Sequence, residues 1–139
     1  MKNVIIGIFL VAIMLLSSLS VVSGYNAKIE WSTYPTADKP TYGRYENLTF
    51  HYAIKNTGSS RTQYVVDARL YDTYDGKLVD SWTLEGIIYT LDPGESKTWN
   101  LQWDAPIRGW KEHEYRAELV IHYMGGKLTY NNLRFRVVY

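Results

Sequence analysis

His113–Val137 reads HEYRAELVIHYMGGKLTYNNLRFRV. His113, Tyr115, Ala117, Leu119, Ile121 and Tyr123 form an inward row, while Glu114, Arg116, Glu118 and His122 occupy the alternate positions. Alternation with period two marks a strand with one face buried. Gly125-Gly126 then supplies a two-residue hairpin signal, because glycine enters the positive-φ turns without steric cost. Leu133, Phe135 and Val137 resume the alternation as a last strand. This stretch sets a long central strand and an antiparallel return.

The same pattern extends towards the N-terminus. Trp99, Leu101 and Trp103 alternate with polar residues, after the turn Asp92-Pro93-Gly94-Glu95. Pro presets φ for such a turn and Gly takes its left-handed position. Asp75-Gly76 marks a tight hairpin leading into a returning strand at Leu78–Leu84. Tyr64, Val66, Ala68 and Leu70 form another inward row, as do Leu48, Phe50, Tyr52 and Ile54; Asn56–Ser60 is the turn between them. Ala27, Ile29 and Trp31 open the series, and Tyr34–Tyr45, with two Pro and a Gly, reads as a loop. Helical spacing is not sustained anywhere. The expectation is all-β: a single antiparallel immunoglobulin-like β-sandwich of about seven to nine strands, over residues 25–139.

Before it, Lys2 precedes an unbroken apolar run, Val4–Leu16, and a small, weakly polar stretch to Gly24. That is the order of a secretory signal peptide, with cleavage expected after Gly24 or, alternatively, after Ser20. Residues 4–22 are barely long enough for an uncleaved anchor, and Ser17, Ser18 and Ser20 argue against one. The domain is thus expected outside the cytoplasm, with membrane contact only through a retained N-terminal segment. Removing Lys2 balances a chain whose net charge is +1. Charge balance takes away the electrostatic case for nucleic acid. There is no Cys, which rules out disulfides, thiol catalysis and Cys-based metal sites. With 13 Tyr and 5 Trp the chain is too aromatic for disorder, and large rings can fill a core without disulfides.

The segments LTFHYAIKNTGSS from Leu48, LYDTYDGKLVDSW from Leu70, LDPGESKTWNLQW from Leu91 and EYRAELVI from Glu114 run in a familiar order. Together they resemble the small Ig-like domains of the CARDB type, and are similar to the BsuPI-like domain of intracellular proteinase inhibitors. The CARDB resemblance implies adhesion at a cell surface or contact between modules. The inhibitor resemblance implies protease binding, from which an export signal departs.

Catalytic and metal chemistry find little support. His51 and His122 are expected on outward faces, His113 near the start of an inward row, and no ligand spacing joins them. Asp72, Asp75 and Asp80 flank a hairpin; Asp-x-x-Asp-Gly hints at calcium but lacks a full oxygen set and a closing Glu. Glu114, Glu118 and Asp67 are read as a solvated face of charge pairs with Arg69 and Arg116. No serine sits in a nucleophile elbow. No enzyme activity, cofactor or metal site is therefore expected. Trp31, Tyr52, Tyr64, Trp99, Trp103, Tyr115 and Tyr123 have inward parity and read as core. Trp110, Tyr34, Tyr42 and Tyr45 are placed in loops, either as a binding cluster or as lids over one end of the core. Asn47-Leu48-Thr49 is a glycosylation sequon. The expected role is binding or assembly, with protein or surface polysaccharide as partner. Self-assembly through the last strand, taken as an edge, is a variant, and a secreted protease inhibitor is a second reading.

Overall fold

The computed structural model describes residues 26–83, 88–103 and 111–139, with only the backbone of Trp82, Thr83 and Trp103. The expected signal segment and Trp110 lie outside these residues. Nine strands are present among those described: β1 (Ile29–Ala37), β2 (Thr41–Gly43), β3 (Leu48–Asn56), β4 (Thr62–Asp72), β5 (Leu78–Thr83), β6 (Tyr89–Leu91), β7 (Ser96–Trp103), β8 (Glu114–Tyr123) and β9 (Gly126–Val138). One sheet has the order β1-β3-β7. The other runs β2-β9-β8-β4-β5, with β6 also pairing β4. All pairings are antiparallel except that of β2 with β9. This is the all-β sandwich that the alternation implies.

The inward rows meet between the sheets. Phe50, Tyr52 and Ile54 from β3 face Tyr64, Val66 and Leu70 from β4, and Tyr115, Leu119 and Ile121 from β8, all buried. Aromatic edges close the packing: Tyr42 and Phe135 meet edge-on at 5.7 Å, and Trp99 sends its Nε1–H to the Tyr64 hydroxyl at 3.1 Å. Tyr115 stands at the start of β8 and donates its hydroxyl proton to the Lys111 carbonyl, four residues earlier, at 2.9 Å. This tyrosine corner is a recurrent feature of Ig-like sandwiches.

At the opposite end of the sandwich, Asn56 is fully buried and its carboxamide joins three segments. Its Nδ2 donates to the Ser60 carbonyl (2.8 Å) and the Leu91 carbonyl (3.1 Å). Its Oδ1 accepts from the amides of Gly58 (3.0 Å) and Lys28 (3.3 Å). The N-terminal segment thereby comes so close that a Cβ on Gly58 would stand 2.5 Å from the Asn26 carbonyl oxygen. Nearby, Gly94 takes a φ of 78°, which closes the Asp92–Glu95 turn and aims its amide at the Asn56 carbonyl, 2.8 Å away.

Several placements differ from the sequence reading. The stretch from Tyr34 to Tyr45 is not a continuous loop: β1 runs on to Ala37 with Pro35 buried, and β2 follows. Tyr42 therefore sits on a strand and is only 1% exposed. A three-residue strand is too short to show periodicity, so the flanking prolines dominated its reading. The last strand is not a free edge at its C-terminal end, where β2 pairs with residues 136–138 of β9; no ladder on that side is described for residues 126–135. Asp67 has the outward parity expected but is buried rather than solvated. His113, by contrast, is buried as its inward parity implies.

Replacing Asn56 with Ala strips partners from two carbonyls and two amides. Leaving buried groups unsatisfied costs about 1–3 kcal/mol each before relaxation, so Asn56→Ala is expected to lower unfolding free energy by about 3 kcal/mol. A urea midpoint close to that of the wild type would contradict the hub. A second expectation concerns base. Burial pushes the hydroxyls of Tyr42, Tyr64 and Tyr115 up to about 12, against about 10 for an unfolded tyrosine. Raised folded values mean stability that is intact below pH 10 and lost as pH rises through 12. Tyrosinate absorbance should show a late phase that coincides with loss of near-ultraviolet circular dichroism. Complete ionisation near pH 10 with the fold retained would sink it.

Candidate binding site

Four loops or termini meet at the end of the sandwich where β8 begins: the β2–β3 turn, the β4–β5 hairpin, the segment before β8 and the C-terminus. Each brings a tyrosine or a group that holds one. On the β2–β3 turn, the Arg44 guanidinium lies over the Tyr45 ring at 4.7 Å and over the Tyr139 ring at 5.5 Å. The Tyr139 amide reaches Glu112 Oε1 at 3.4 Å. Tyr139 also lies near enough to Tyr115 to add to the upward push on its hydroxyl, after burial and Asp72. From Tyr115 a ring stack leads back outward: His113 at 4.9 Å, then Tyr74 at 4.3 Å from His113. Tyr45, Tyr74 and Tyr139 are 63%, 75% and 63% exposed. Leu78 and Val79, exposed at the start of β5, extend the surface beside Tyr74.

The hairpin that carries Tyr74 is anchored, not loose. Asp72 Oδ1 accepts the Tyr74 amide at 2.8 Å, and the Thr73 hydroxyl donates to the Glu114 carbonyl at 2.9 Å. Asp72 Oδ2 lies 2.8 Å from His113 Nε2. Burial raises the Asp72 carboxyl, but the Tyr74 amide and His113 outweigh it and hold the carboxyl below its ordinary value. Asp75 Oδ1 accepts the Lys77 amide and Asp80 Oδ1 the Ser81 amide, each in its own turn. The three aspartates that hinted at calcium thus have separate local tasks. Among the described residues no group of three or more His, Asp or Glu is placed to hold a metal ion.

Trp110 lies outside the described residues; of the other three aromatics picked from sequence, the structure brings only Tyr45 to this end as an exposed ring. Tyr42 lies in the core, its hydroxyl donating to the Asp38 carboxylate with the Thr49 carbonyl as a second acceptor within reach at 3.2 Å. Tyr34 is exposed, but on β1, where its ring lies against Tyr130 at 5.7 Å. Asn47 is exposed just before β3, so its side chain is accessible. Tyr74, Tyr139 and Arg44 were not picked out. A tyrosine inside a Thr-Tyr-Asp-Gly turn was the available signal, since a tight turn leaves such a ring little core to enter. His51 sits against Asn100 on the neighbouring strand, and His122 stands on the outer face of the larger sheet beside Asp67.

An antiparallel three-strand sheet packed on a larger one, with β2 added to β9 and a tyrosine corner on β8, defines an Ig-like sandwich module. The family model for CARDB matches residues 32–125, and the chain belongs to that family. No curated protein matches it. Among solved structures it is similar to part of a β-glucosidase from Erythrobacter marinus (14% identity, TM-score 0.57, 81% of this chain and 16% of that one). It is also similar to part of the alkylpurine DNA glycosylase AlkC of Pseudomonas fluorescens bound to abasic-site DNA (13% identity, TM-score 0.55, 81% and 30%). A CARDB domain from Pyrococcus furiosus in complex with di-metal ions aligns at 17% identity and TM-score 0.46 over 81% of this chain and 90% of that one. The chain spans a small share of both enzymes, and at these identities the likeness is one of fold.

Because the Asp72 carboxyl is held low, its contribution is present at neutral pH and lost as pH falls through its folded value. Asp72→Asn should lower the denaturation midpoint at pH 7 and shrink the gap to wild type below about pH 4. A gap that is constant with pH would show that the fold does not favour the Asp72 carboxylate over its neutral form.

Proposed function

We propose that this chain is an exported, non-catalytic binding module of the cell envelope or exterior, and that it contacts another protein through its tyrosine-rich end. One observation carries the reading: Tyr45, Arg44, Tyr139 and Tyr74 gather exposed at one end, beside Leu78 and Val79. Tyrosine and arginine are the side chains that dominate protein interfaces, since they offer large area at low entropic cost with polar tips. Pre-anchoring by Asp72, Thr73 and Glu112 reduces the ordering cost of association.

Several features support a module of this kind over an enzyme or a filament subunit. The buried imidazole of His113 is occupied by Asp72 and lies against Tyr74. Membership of CARDB points the same way. The described sheet edges carry devices that oppose strand addition. β1 has two register shifts and Pro35, and β2 is three residues long. Asp80 on β5 and Lys97 on β7 stand opposite the inward residues Leu70 and Ile54, placing charge on the core-facing row of each edge. Export rests on the apolar N-terminal segment, and material recovered outside the cell should begin at Tyr25 by mass spectrometry.

For the test, wild-type protein and a Tyr74→Ala/Tyr139→Ala variant are immobilised and exposed to solubilised envelope from the source organism. A protein should be retained by the wild type and at least tenfold less by the variant, because two exposed anchors of hot-spot type are removed. Circular dichroism should match, as both rings are outside the core. Equal retention by the two proteins would remove the tyrosine end as the contact surface.

A further inference from the structure

On the flank of the sandwich, β1 leaves β3 and comes alongside β9, yet no ladder joins them among the described residues. The approach is closed at two points. Upstream, the Tyr34 ring lies against Tyr130. Downstream, the Arg136 amide donates to the Pro40 carbonyl at 2.9 Å. Between these closures lies an open groove of about 380 Å³, with Pro35–Pro40 along one side and Tyr130, Asn132, Leu133 and Arg134 along the other. Since the Arg136 amide points away from β8, strand alternation turns the Arg134 amide and carbonyl the same way, towards the groove.

The lining has a specific chemistry. Asp38, Asn132 and Arg134 are planar polar groups that give paired donors or acceptors, and Thr36 adds a hydroxyl. Tyr130 is half-buried, braced edge-on by Trp31 at 6.3 Å, and forms an aromatic wall. The polar groups are fixed in advance. The buried Tyr42 hydroxyl donates to the Asp38 carboxylate, Arg134 Nε donates to Asn132 Oδ1 at 3.2 Å, and Arg134 Nη1 donates to Glu114 Oε1 at 2.8 Å. Both cations of the lining already have a carboxylate partner, Lys39 with Glu46 and Arg134 with Glu114, and Asp38 adds a further negative charge to the groove.

We propose that this groove is a saccharide site that takes a short, uncharged glycosyl segment of a surface polysaccharide. An aromatic wall matches the apolar face of a pyranose ring, and bidentate Asp, Asn and Arg match vicinal hydroxyls. The volume lies at the small end of the range for ligand pockets, about 300–1,000 Å³. With both cations paired and Asp38 present, the lining gives no advantage to a polyanion. The site uses β1 and β9, not the tyrosine-rich end, so it stands whether or not that end binds protein.

The test is calorimetric titration of the exported protein with cellotetraose, laminaritetraose and mannotetraose, followed by amide and side-chain NMR shifts with whichever binds. Binding of at least one, insensitive to salt, with shifts centred on Tyr130, Asn132 and Arg134, is the expected result. Asn132→Ala and Asp38→Asn should each weaken it about tenfold, the value of one well-formed hydrogen bond, while Tyr74→Ala leaves it unchanged. Asp38→Asn keeps an acceptor for Tyr42, so its effect reads recognition separately from folding. No heat or shift with any of the three sugars at millimolar concentration overturns the proposal. So does binding that both groove variants leave intact, or shifts that map to Tyr45, Tyr74 and Tyr139.

Discussion

A buried carboxamide has to be satisfied or it destabilises the fold, and the rest of this molecule is arranged around one such group. Asn56 ends β3 at 0% exposure with four backbone partners, from Lys28, Gly58, Ser60 and Leu91. An apolar residue there would leave two carbonyls and two amides in a dry corner. With Asn, the segment before β1, the β3–β4 turn and the end of β6 are all tied to one side chain. Both sheets are represented in that set. Their relative placement at this end therefore follows from hydrogen-bond satisfaction as much as from apolar contact.

The opposite end is held differently. Tyr115 fixes the approach to β8 through the Lys111 carbonyl, and the Asp72–His113 contact fixes the β4–β5 hairpin to the same approach. These devices leave rings at the surface rather than drawing every aromatic inward. A tyrosine corner uses the hydroxyl to anchor the chain while the ring stays in the core. Its neighbours His113 and Tyr74 continue the stack outward to solvent. Order at the contact surface is thus inherited from the core through ring contacts, so its tyrosines are presented on anchored backbone.

Much of the fold was legible because alternation is strong wherever a strand is long and half-buried. The rows from Leu48, Tyr64 and His113 correspond to β3, β4 and β8, and Asp-Gly and Pro-Gly fall at turns, while the β8–β9 turn is Met124-Gly125, one residue ahead of the Gly125-Gly126 pair, with Gly126 opening β9. What was hidden had a common cause, in that it depended on residues far apart in sequence. β2 has no period of its own and exists because β9 offers it an edge. His113 has inward parity, but only the fold brings it to Asp72, 41 positions away in the sequence. Asn-x-Gly read as a local turn, whereas its side chain reaches across the sandwich to Leu91. The tyrosine-rich end was half legible. Tyr45 was visible as a loop ring, but Tyr74 was absorbed into a hairpin signal and Tyr139 had no pattern around it.

The family match covers residues 32–125, and β9 runs from Gly126 to Val138. The wall of the flank groove made by Tyr130, Asn132 and Arg134, and the ring of Tyr139, therefore lie beyond the matched stretch. The matched part supplies the scaffold: the core rows, the Asn56 hub and the tyrosine corner. β9 supplies one full side of the groove, and Tyr139, just past its end, is one of three exposed rings at the tyrosine-rich end. A bulge in β9 opposite the step from Ala117 to Leu119 turns Asn131 and Asn132 out of simple alternation. Bulges re-aim side chains without unpairing the strand as a whole. Here the re-aimed residue is Asn132, the one that accepts from Arg134 and lines the groove. The groove-lining residues of β9 thus lie on a strand whose inner face is constrained by the core, through Leu133, Phe135 and Val137, while its outer face is open to substitution. Such an arrangement lets the groove lining change without disturbing the packing that holds the sandwich together.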